Sequence, residues 1–222
     1  MKALKRTGIA IGIIATLLFV AKLANLWNVY RNPVSVNEPN IKQGSIFFTS
    51  GYVSPERFKF VCFQSPEDNE MYLYRLCGMP GDKLEIRNGD LYINDKAADE
   101  EIGPANEYRI SATDYEMLYR TVIDPGESYR NNPYADSVTF FLSKRQLQEK
   151  NIKAQRFLLA PSYEDPTIKE VFQQNWNQDH FGPVVIPPGK YFVLGDNRHN
   201  AMDSRYRGFI DHADIKSTVI WK

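Results

Sequence analysis

The sequence is poor in the residues that build disulfide frameworks and metal sites. Only two of its 222 residues are cysteine, Cys62 and Cys77, and only three are histidine. Two cysteines are too few for a disulfide scaffold, and their spacing fits no zinc motif. We therefore expect free thiols, no metal site and no cofactor.

The chain also has no excess charge of either sign, since 27 lysine and arginine residues balance 27 aspartate and glutamate residues. This balance argues against a strongly basic nucleic-acid-binding protein and against an acidic tail protein, so no nucleic-acid partner is expected. The charges are unevenly placed, however. Residues 1–27 contain four basic residues and no acidic one, which leaves 23 basic and 27 acidic residues in the rest of the chain.

Long apolar runs are scarce as well, and the one that is present follows a basic stub. Ile, Leu, Val and Ala dominate the 20 residues from Gly8 to Trp27, and only Lys22 interrupts them. As a helix this run spans about 30 Å, the thickness of the hydrocarbon core of a bilayer. We interpret residues 1–30 as a cytoplasmic stub and an uncleaved signal-anchor. A cleaved signal peptide is the alternative, because Ala21 and Ala24 supply small residues for a cleavage site.

Basic flanking residues stay on the cytoplasmic side of a membrane. The stub therefore predicts that everything after Trp27 lies outside the bacterial cytoplasmic (inner) membrane. We expect a single-pass protein in contact with the lipid bilayer, with a C-terminal domain that is extracytoplasmic, as in a periplasmic domain.

The exported part is rich in strand patterns. β-Branched and aromatic runs between turn residues occupy segments 45–49, 58–63, 71–76, 84–87, 90–93, 184–186, 190–194 and 217–221. Asn88-Gly89, between two alternating runs, is typical of a tight β-hairpin. We predict a mainly β fold, an antiparallel barrel-like or sandwich core formed by residues 31–96 and 184–222.

Residues 97–183 have a different character, polar and rich in tyrosine and proline. Ser143 is a predicted N-cap for a helix over 144–150, and Asp165 is a second N-cap followed by Pro166 at the first helical position. We predict an α+β cap subdomain inserted into the β core.

The strand pattern also makes a prediction about the cysteines. If segments 58–63 and 71–76 pair around a loop centred near Glu67, Cys62 faces Tyr72 and Cys77 faces Arg57. The two Cα atoms are then too far apart for a disulfide, which needs roughly 4.4 to 6.8 Å.

The most specific motif follows a predicted strand and reads Gly195-Asp-Asn-Arg-His-Asn-Ala-Met-Asp-Ser-Arg-Tyr-Arg-Gly208. It resembles the last signature box of the type I signal peptidase family, which is Gly-Asp-Asn-Arg, two residues, Ser, one residue, Asp-Ser-Arg, two residues, Gly. Every fixed position matches except one, where Ala201 replaces the serine.

Two upstream boxes extend the resemblance over nearly the whole chain. Tyr74-Arg-Leu-Cys-Gly-Met-Pro-Gly-Asp82 is similar to the family's Lys-Arg-Val-x-Gly-x-Pro-Gly-Asp, with Tyr74 at the catalytic lysine. Val36-Asn-Glu-Pro-Asn-Ile is similar to Ser-Met-x-Pro-Thr-Leu, with Val36 at the nucleophile. The resemblance implies a serine endopeptidase that removes signal peptides from exported preproteins with a Ser/Lys dyad.

The replaced residues are those that the dyad needs. A serine attacks only if a neighbouring neutral lysine takes its proton, and valine has neither a proton nor a lone pair to offer. A phenol with a pKa near 10 stays protonated at neutral pH, so Tyr74 is no ready base. Ala201 removes a hydroxyl that the family places beside the lysine, and Val34 stands where some members have a hydroxyl for the oxyanion.

Two other sets of residues are candidates to replace the Ser/Lys dyad. Ser35 is adjacent to Val36, but successive side chains of an extended segment point to opposite faces, so its hydroxyl should face away from the cleft. A Ser/His/Asp triad with Asp196 or Asp203 is the other, although lone histidines near such a box are more often structural. We expect neither to restore catalysis.

The resemblance also predicts the site residues. The substrate groove is expected to include Val34, Ser35, Val36, Pro39, Tyr72 and Tyr74. The structural positions of the boxes are Gly78, Pro80, Gly81, Asp82, Gly195, Asp196, Asn197, Arg198, Asp203, Ser204, Arg205 and Gly208. The glycines should form tight turns or close approaches, and Asp196, Asp203, Arg198 and Arg205 should form buried ion pairs.

Three functions follow from these residues, and the fold cannot choose among them because activity depends on the site. The leading hypothesis is a catalytically inactive homologue that binds signal-peptide-like segments with small side chains, or a partner membrane protease. The alternative is an active signal peptidase I with rearranged catalytic groups. A third is a structural subunit of a membrane complex.

Overall fold

The computed structural model describes residues 2–111, 113–114, 129–131 and 137–222. Its helices are α1 (Lys2–Leu23), α2 (Asp99–Ile102), α3 (Lys144–Glu149), α4 (Pro166–Phe172) and α5 (Ser204–Arg207), with 3-10 turns at Arg198–Asn200 and His212–Asp214. Its strands are β1 (Asn28–Arg31), β2 (Ile46–Ser50), β3 (Phe60–Gln64), β4 (Met71–Gly78), β5 (Lys83–Arg87), β6 (Asp90–Ile93), β7 (Lys96–Ala97), β8 (Ala105–Ser111), β9 (Tyr129–Asn131), β10 (Ser137–Ser143), β11 (Gln155–Arg156), β12 (Phe181–Val185), β13 (Lys190–Leu194), β14 (Ile210–Asp211) and β15 (Ile215–Trp221).

The first helix, α1, contains most of the apolar run of the sequence. Its described apolar side chains are exposed, among them Ile9, Ile13 and Leu17. Among the residues that the structure describes, no helix is long and apolar enough to cross a membrane.

The main sheet has seven strands in the order β1-β2-β15-β3-β4-β13-β14. All its neighbours pair antiparallel, and the C-terminal strand β15 lies between β2 and β3. The core is therefore built from segments far apart in the chain, because β15 completes a sheet that begins with β1 and β2. The mainly β, antiparallel class predicted from the sequence is confirmed.

The barrel-like closure is not observed among the described strands. The edge strands β1 and β14 each have one partner, β2 and β13 respectively. β14 is only two residues long, too short to carry the pairing across to β1. The other two sheets, β12-β5-β6-β7 and β11-β8-β10-β9, are also open antiparallel sheets.

The local turn signals are confirmed. Asn88 and Gly89 connect β5 and β6 with positive φ values of 51° and 75°, as a two-residue hairpin turn requires. Ser143 caps α3 in a capping box with Gln146, and the Asp165 side chain accepts hydrogen bonds at the start of α4. The sheet β11-β8-β10-β9 lies within the segment predicted as the cap.

Both cysteines are free and buried, as expected, but the predicted strand register is wrong by one residue. Cys62 pairs with Leu73, and Phe63 pairs with Tyr72. The N–H of Ser65 donates to the carbonyl of Glu70, so four residues form the loop and its centre lies after Glu67. Because the position of the turn sets the register of a hairpin, an error of one residue in the turn changes the partner of every residue in both strands.

Candidate functional site

The three replaced positions meet at one point of the structure. Gly195 follows β13 and lies beside them, and a Cβ built on this glycine would lie 2.4 Å from the Cβ of Ala201 and 2.9 Å from the carbonyl oxygen of Val36. The same Cβ would lie 3.4 Å from Cε1 of Tyr74. Only glycine leaves room for this approach. We call Val36, Tyr74 and Ala201 the apolar centre.

Tyr74 fills the middle of the apolar centre. It is 3 % exposed, and its hydroxyl donates to the carbonyl of Met202 at 3.2 Å. Burial, and secondarily the charge of Asp203, raises the pKa of the Tyr74 phenol well above its usual value. The phenol is therefore a neutral donor at neutral pH and cannot serve as a general base.

Val36 and Ala201 add packing to this centre. Both contact the same apolar cluster as Tyr74, which includes Val61 and Leu76. The backbone of Val36 is held in place because its carbonyl accepts the N–H of Asn197 at 3.0 Å. The segment that carries the nucleophile in the family is thus tied to the last signature box.

Neither substitute for the dyad is assembled. The hydroxyl of Ser35 accepts a hydrogen bond from Asn200 Nδ2 at 3.0 Å. His199 is buried, with Nε2 bonded to Asp179 at 2.7 Å and Nδ1 accepting the N–H of Glu107 at 3.3 Å. The other two histidines bond a backbone carbonyl and a tyrosine hydroxyl, so no histidine is hydrogen-bonded to a serine among the described residues.

An apolar groove of about 360 Å³ opens beside the apolar centre. Its lining includes the predicted groove residues Val34, Val36, Tyr72 and Tyr74, together with Phe47 and Cys62. The other two predicted groove residues, Ser35 and Pro39, are not among the residues that line it. The Ser35 side chain is turned toward Asn200, and Pro39 lies in the turn closed by the hydrogen bond from Ile41 N–H to Asn37 O.

Stacked aromatic rings form one wall of the groove. The rings of Tyr72 and Tyr74 stack with their centroids 6.1 Å apart. The Tyr72 hydroxyl donates to Asp68 at 2.7 Å and accepts from Arg207 at 2.8 Å. The hydrogen bond from Tyr72, together with one from the Glu70 N–H, holds the pKa of the Asp68 carboxyl well below its usual range.

One edge of β4 is free next to the groove. β4 pairs with β13 only from Arg75 to Gly78, so residues 71–74 have no partner strand on that side among the described residues. The side chain of Asn37 donates to the carbonyl of Leu73 at 2.6 Å and ties the facing loop to this edge. A free edge of this kind accepts an extended peptide as an added strand.

The charged residues of the boxes form buried ion pairs. Arg75 pairs with Asp196 (Nε to Oδ1, 2.7 Å), Arg205 with Asp203 (2.8 Å) and Arg198 with Asp99 (2.7 Å). We call these six residues the ion-pair cluster. The sequence predicted ion pairs for Asp196, Asp203, Arg198 and Arg205 without assigning partners, and of these four only Asp203 and Arg205 pair with each other. Arg75 and Asp99 were missed as partners because they lie far away in the sequence, and only the pairing of β4 with β13 brings Arg75 beside Asp196.

The remaining signature residues have structural contacts. Asp82 accepts from Arg57 at 2.6 Å and from the N–H of Met79 at 2.7 Å, which closes the turn at Pro80-Gly81. The hydroxyl of Ser204 accepts the N–H of Val193 at 3.0 Å, and Gly208 follows α5 with φ 78°.

In the part of the chain that the structure describes, no serine of the site is hydrogen-bonded to a lysine or histidine side chain. The family model described as "Signal peptidase, peptidase S26" matches residues 4–222. The chain belongs to this family. The resemblance inferred from the three boxes is thereby confirmed, and the boxes can be read as the family's boxes. Among the described residues, no group of three or more His, Cys, Asp or Glu side chains could hold a metal ion.

Several relatives carry the name signal peptidase I. The protein from Streptococcus pneumoniae serotype 4 is 28% identical over 203 residues, which cover 91% of this chain and 84% of that protein. The Rickettsia akari protein is 29% identical over 174 residues, covering 75% of this chain and 52% of that protein. A solved signal peptidase I from Enterococcus faecalis V583 is 24% identical with a TM-score of 0.36, covering 75% of this chain and 97% of that one.

Proposed function

We propose that this signal peptidase homologue binds signal-peptide-like segments of exported preproteins without cutting them. The observation that carries the proposal is the apolar centre, where Val36, Tyr74 and Ala201 meet around Gly195. A groove and a free strand edge remain beside it, while the hydroxyl and amine that the Ser/Lys mechanism needs are absent from these positions.

The bound segment lies extended along the free edge of β4. Its backbone pairs with residues 71–74 except at the carbonyl of Leu73, which already accepts from Asn37, and its side chains point alternately toward the groove and away from it. Binding of this kind depends on backbone geometry, so it survives the loss of the reacting groups.

We further propose that the segment containing α1 anchors the protein in the cytoplasmic membrane as a single span, with the β domains on the outer face. The described part of α1 does not by itself reach the length and hydropathy of a span. The proposal rests on the apolar run from Gly8 to Trp27 and on apolar side chains exposed along α1, such as Ile9 and Phe19. The domain organisation that we propose is 31–96 and 184–222 for the core and 97–183 for the cap.

Peptidase activity with rearranged groups is the second candidate, and the names of the relatives favour it over inactivity. It requires a nucleophile and a base within hydrogen-bond reach of each other, directly or after substrate binds. Ser35 is the hydroxyl closest in sequence to the nucleophile position.

The test is cleavage of a preprotein by purified full-length protein in detergent. We expect no product above the blank, and no change on Ser35→Ala. The triple variant Val36→Ser, Tyr74→Lys and Ala201→Ser is the matched gain-of-function arm, and weak cleavage by it would show that the groove presents a substrate bond correctly.

Site-specific cleavage by the unmodified protein would establish the second candidate instead, and its loss on Ser35→Ala would identify the nucleophile. Photo-crosslinking of a signal-peptide segment tests binding itself. If the crosslinks are no stronger than those of a scrambled segment, signal-peptide segments are not the ligand. The protein would then be either a structural subunit of a membrane complex or a protein that binds a partner protease.

A further inference from the structure

Four buried residues line the groove and form its bottom, and none of them is charged: Asn32, Phe47, Cys62 and Tyr74. The Asn32 amide is already used, because it donates to the carbonyls of Ile41 and Lys42 at 3.1 Å. Burial raises the pKa of the Cys62 thiol to about 11, so this group is uncharged at neutral pH. Arg31 is the single charged residue of the lining, and its side chain is exposed, with Nε donating to the carbonyl of Gly44 at 3.0 Å. A group that fills the bottom must therefore be apolar as well.

The groove is larger than a small side chain requires. Its volume is about 360 Å³. An apolar cavity of about 150 Å³ already accommodates a benzene ring. An alanine side chain would leave most of the groove to water, whereas a larger apolar side chain would displace that water from apolar surface and gain the free energy of burial.

The wall of the groove is fixed, so it cannot close around a small side chain. Tyr72 is held by Asp68 and Arg207 through its hydroxyl, and the Arg207 guanidinium also lies 4.4 Å from the centroid of its ring. Phe63 supports the stack from behind, with its ring centroid 5.8 Å from that of Tyr72. The size of the groove is therefore a property of the folded protein, and a ligand that matches it binds without a cost of reorganisation.

We propose that the groove selects segments with a bulky apolar side chain, of the size of leucine or phenylalanine, and that Cys62 sets its depth. Cys62 has the smallest side chain of the four that line the bottom. The inference rests on the proposed function, because it takes an extended segment along β4 as the ligand. It departs from the small side chains that the family resemblance implies.

The test uses the full-length protein in detergent and short fluorescent peptides that are identical except at one anchor position, which is Ala, Leu or Phe. Fluorescence polarisation gives the Kd of each. We expect the Leu and Phe peptides to bind about tenfold or more tightly than the Ala peptide, the discrimination typical of added methylene groups in an apolar pocket.

Two valines supply a matched pair of variants. Val34 and Val29 are both 44 % exposed, but only Val34 lines the groove. Val34→Trp should obstruct the groove and reduce the preference for Leu and Phe to about twofold or less, whereas Val29→Trp should leave it unchanged. Apolar peptides also enter detergent micelles, but this affects both variants equally. It therefore cannot produce a difference between them. Cys62→Phe places a ring at the bottom of the groove and should abolish the preference for Leu and Phe peptides. The Tm of this variant shows whether it still folds.

The outcomes separate the two proposals. Equal binding of the three peptides, or tightest binding of the Ala peptide, overturns the size selection and leaves the proposed function standing. A preference that Val34→Trp does not alter also overturns it. Binding of none of the peptides overturns the proposed function.

Discussion

The ion-pair cluster and the apolar centre are built from the same sequence boxes, yet they have opposite chemistry. Arg75 and Asp196 keep a buried ion pair, while Tyr74 and Gly195, their neighbours in the chain, border a site with no charge. Charged side chains that are costly to bury thus pair with each other one position away from uncharged side chains that pack together. The residues that hold the boxes together are therefore separate from those of the apolar centre, where we propose that the reacting groups have been replaced.

Breaking the ion-pair cluster should have the largest effect. Arg205→Met leaves the Asp203 carboxylate buried without its partner, and this should lower the free energy of unfolding by about 3–5 kcal/mol. Urea denaturation measures it. Arg145→Met, which removes an exposed pair with Glu149, is the control and should change nothing measurable. Equal effects of the two variants would contradict the role of burial.

The junction of the two regions is the next place to test. Gly195→Ala puts a Cβ 2.4 Å from that of Ala201, and this overpacking should lower the free energy of unfolding by about 1–3 kcal/mol. Adding Ala201→Gly should restore part of the loss, and the contact with the Val36 carbonyl accounts for the rest. A neutral Gly195→Ala would mean that the three positions do not meet.

A pH titration extends the comparison to a second buried charge. Burial alone would raise the pKa of Asp179, but the hydrogen bonds from His199 and from the N–H of Leu159 outweigh it, so the pKa is lowered. Because the unfolded carboxyl titrates near pH 3.9, the folded state gains stability from Asp179 above that pH and loses it as the pH falls further. Asp179→Asn should flatten the decline of the unfolding free energy between about pH 5 and 3.

Surface Glu164→Gln is the control for that titration. If Glu164→Gln flattens the dependence of the unfolding free energy on pH as much as Asp179→Asn does, the loss of stability in acid does not come from the Asp179 and His199 pair.

The smallest effect is expected inside the apolar centre. Tyr74→Phe removes one hydrogen bond, to the Met202 carbonyl, and should cost about 0.5–1.5 kcal/mol at neutral pH. The raised phenol pKa adds stability below the unfolded value near 10, which is lost as the pH rises above it. The variant should therefore approach the parent in stability at alkaline pH, by urea denaturation. A difference in unfolding free energy between variant and parent that grows with pH would contradict a buried phenol with a raised pKa.

Sequence patterns predicted the features that depend on residues close in the chain. The Asn88-Gly89 turn, the Ser143 cap and the Asp165 cap each rely on contacts within a few residues, and all three are present. The Cys62 register failed by one residue, because the pairing depends on where a four-residue loop begins. The pairs Arg75 with Asp196 and Arg198 with Asp99 could not be predicted, because the two partners of each pair lie about 100 residues or more apart in the sequence.

The sequence by itself determined the family and the strand-rich character, and the assignment of Val36, Tyr74 and Ala201 to replaced positions stays a prediction from the sequence. Only the tertiary structure decided that these positions touch around Gly195, that Ser35 is turned away, and that an apolar groove of about 360 Å³ lies beside them. The physical reason is distance along the chain. Turns and caps are local, whereas a groove exists only after β4, β13 and the loop that carries Val36 have become neighbours.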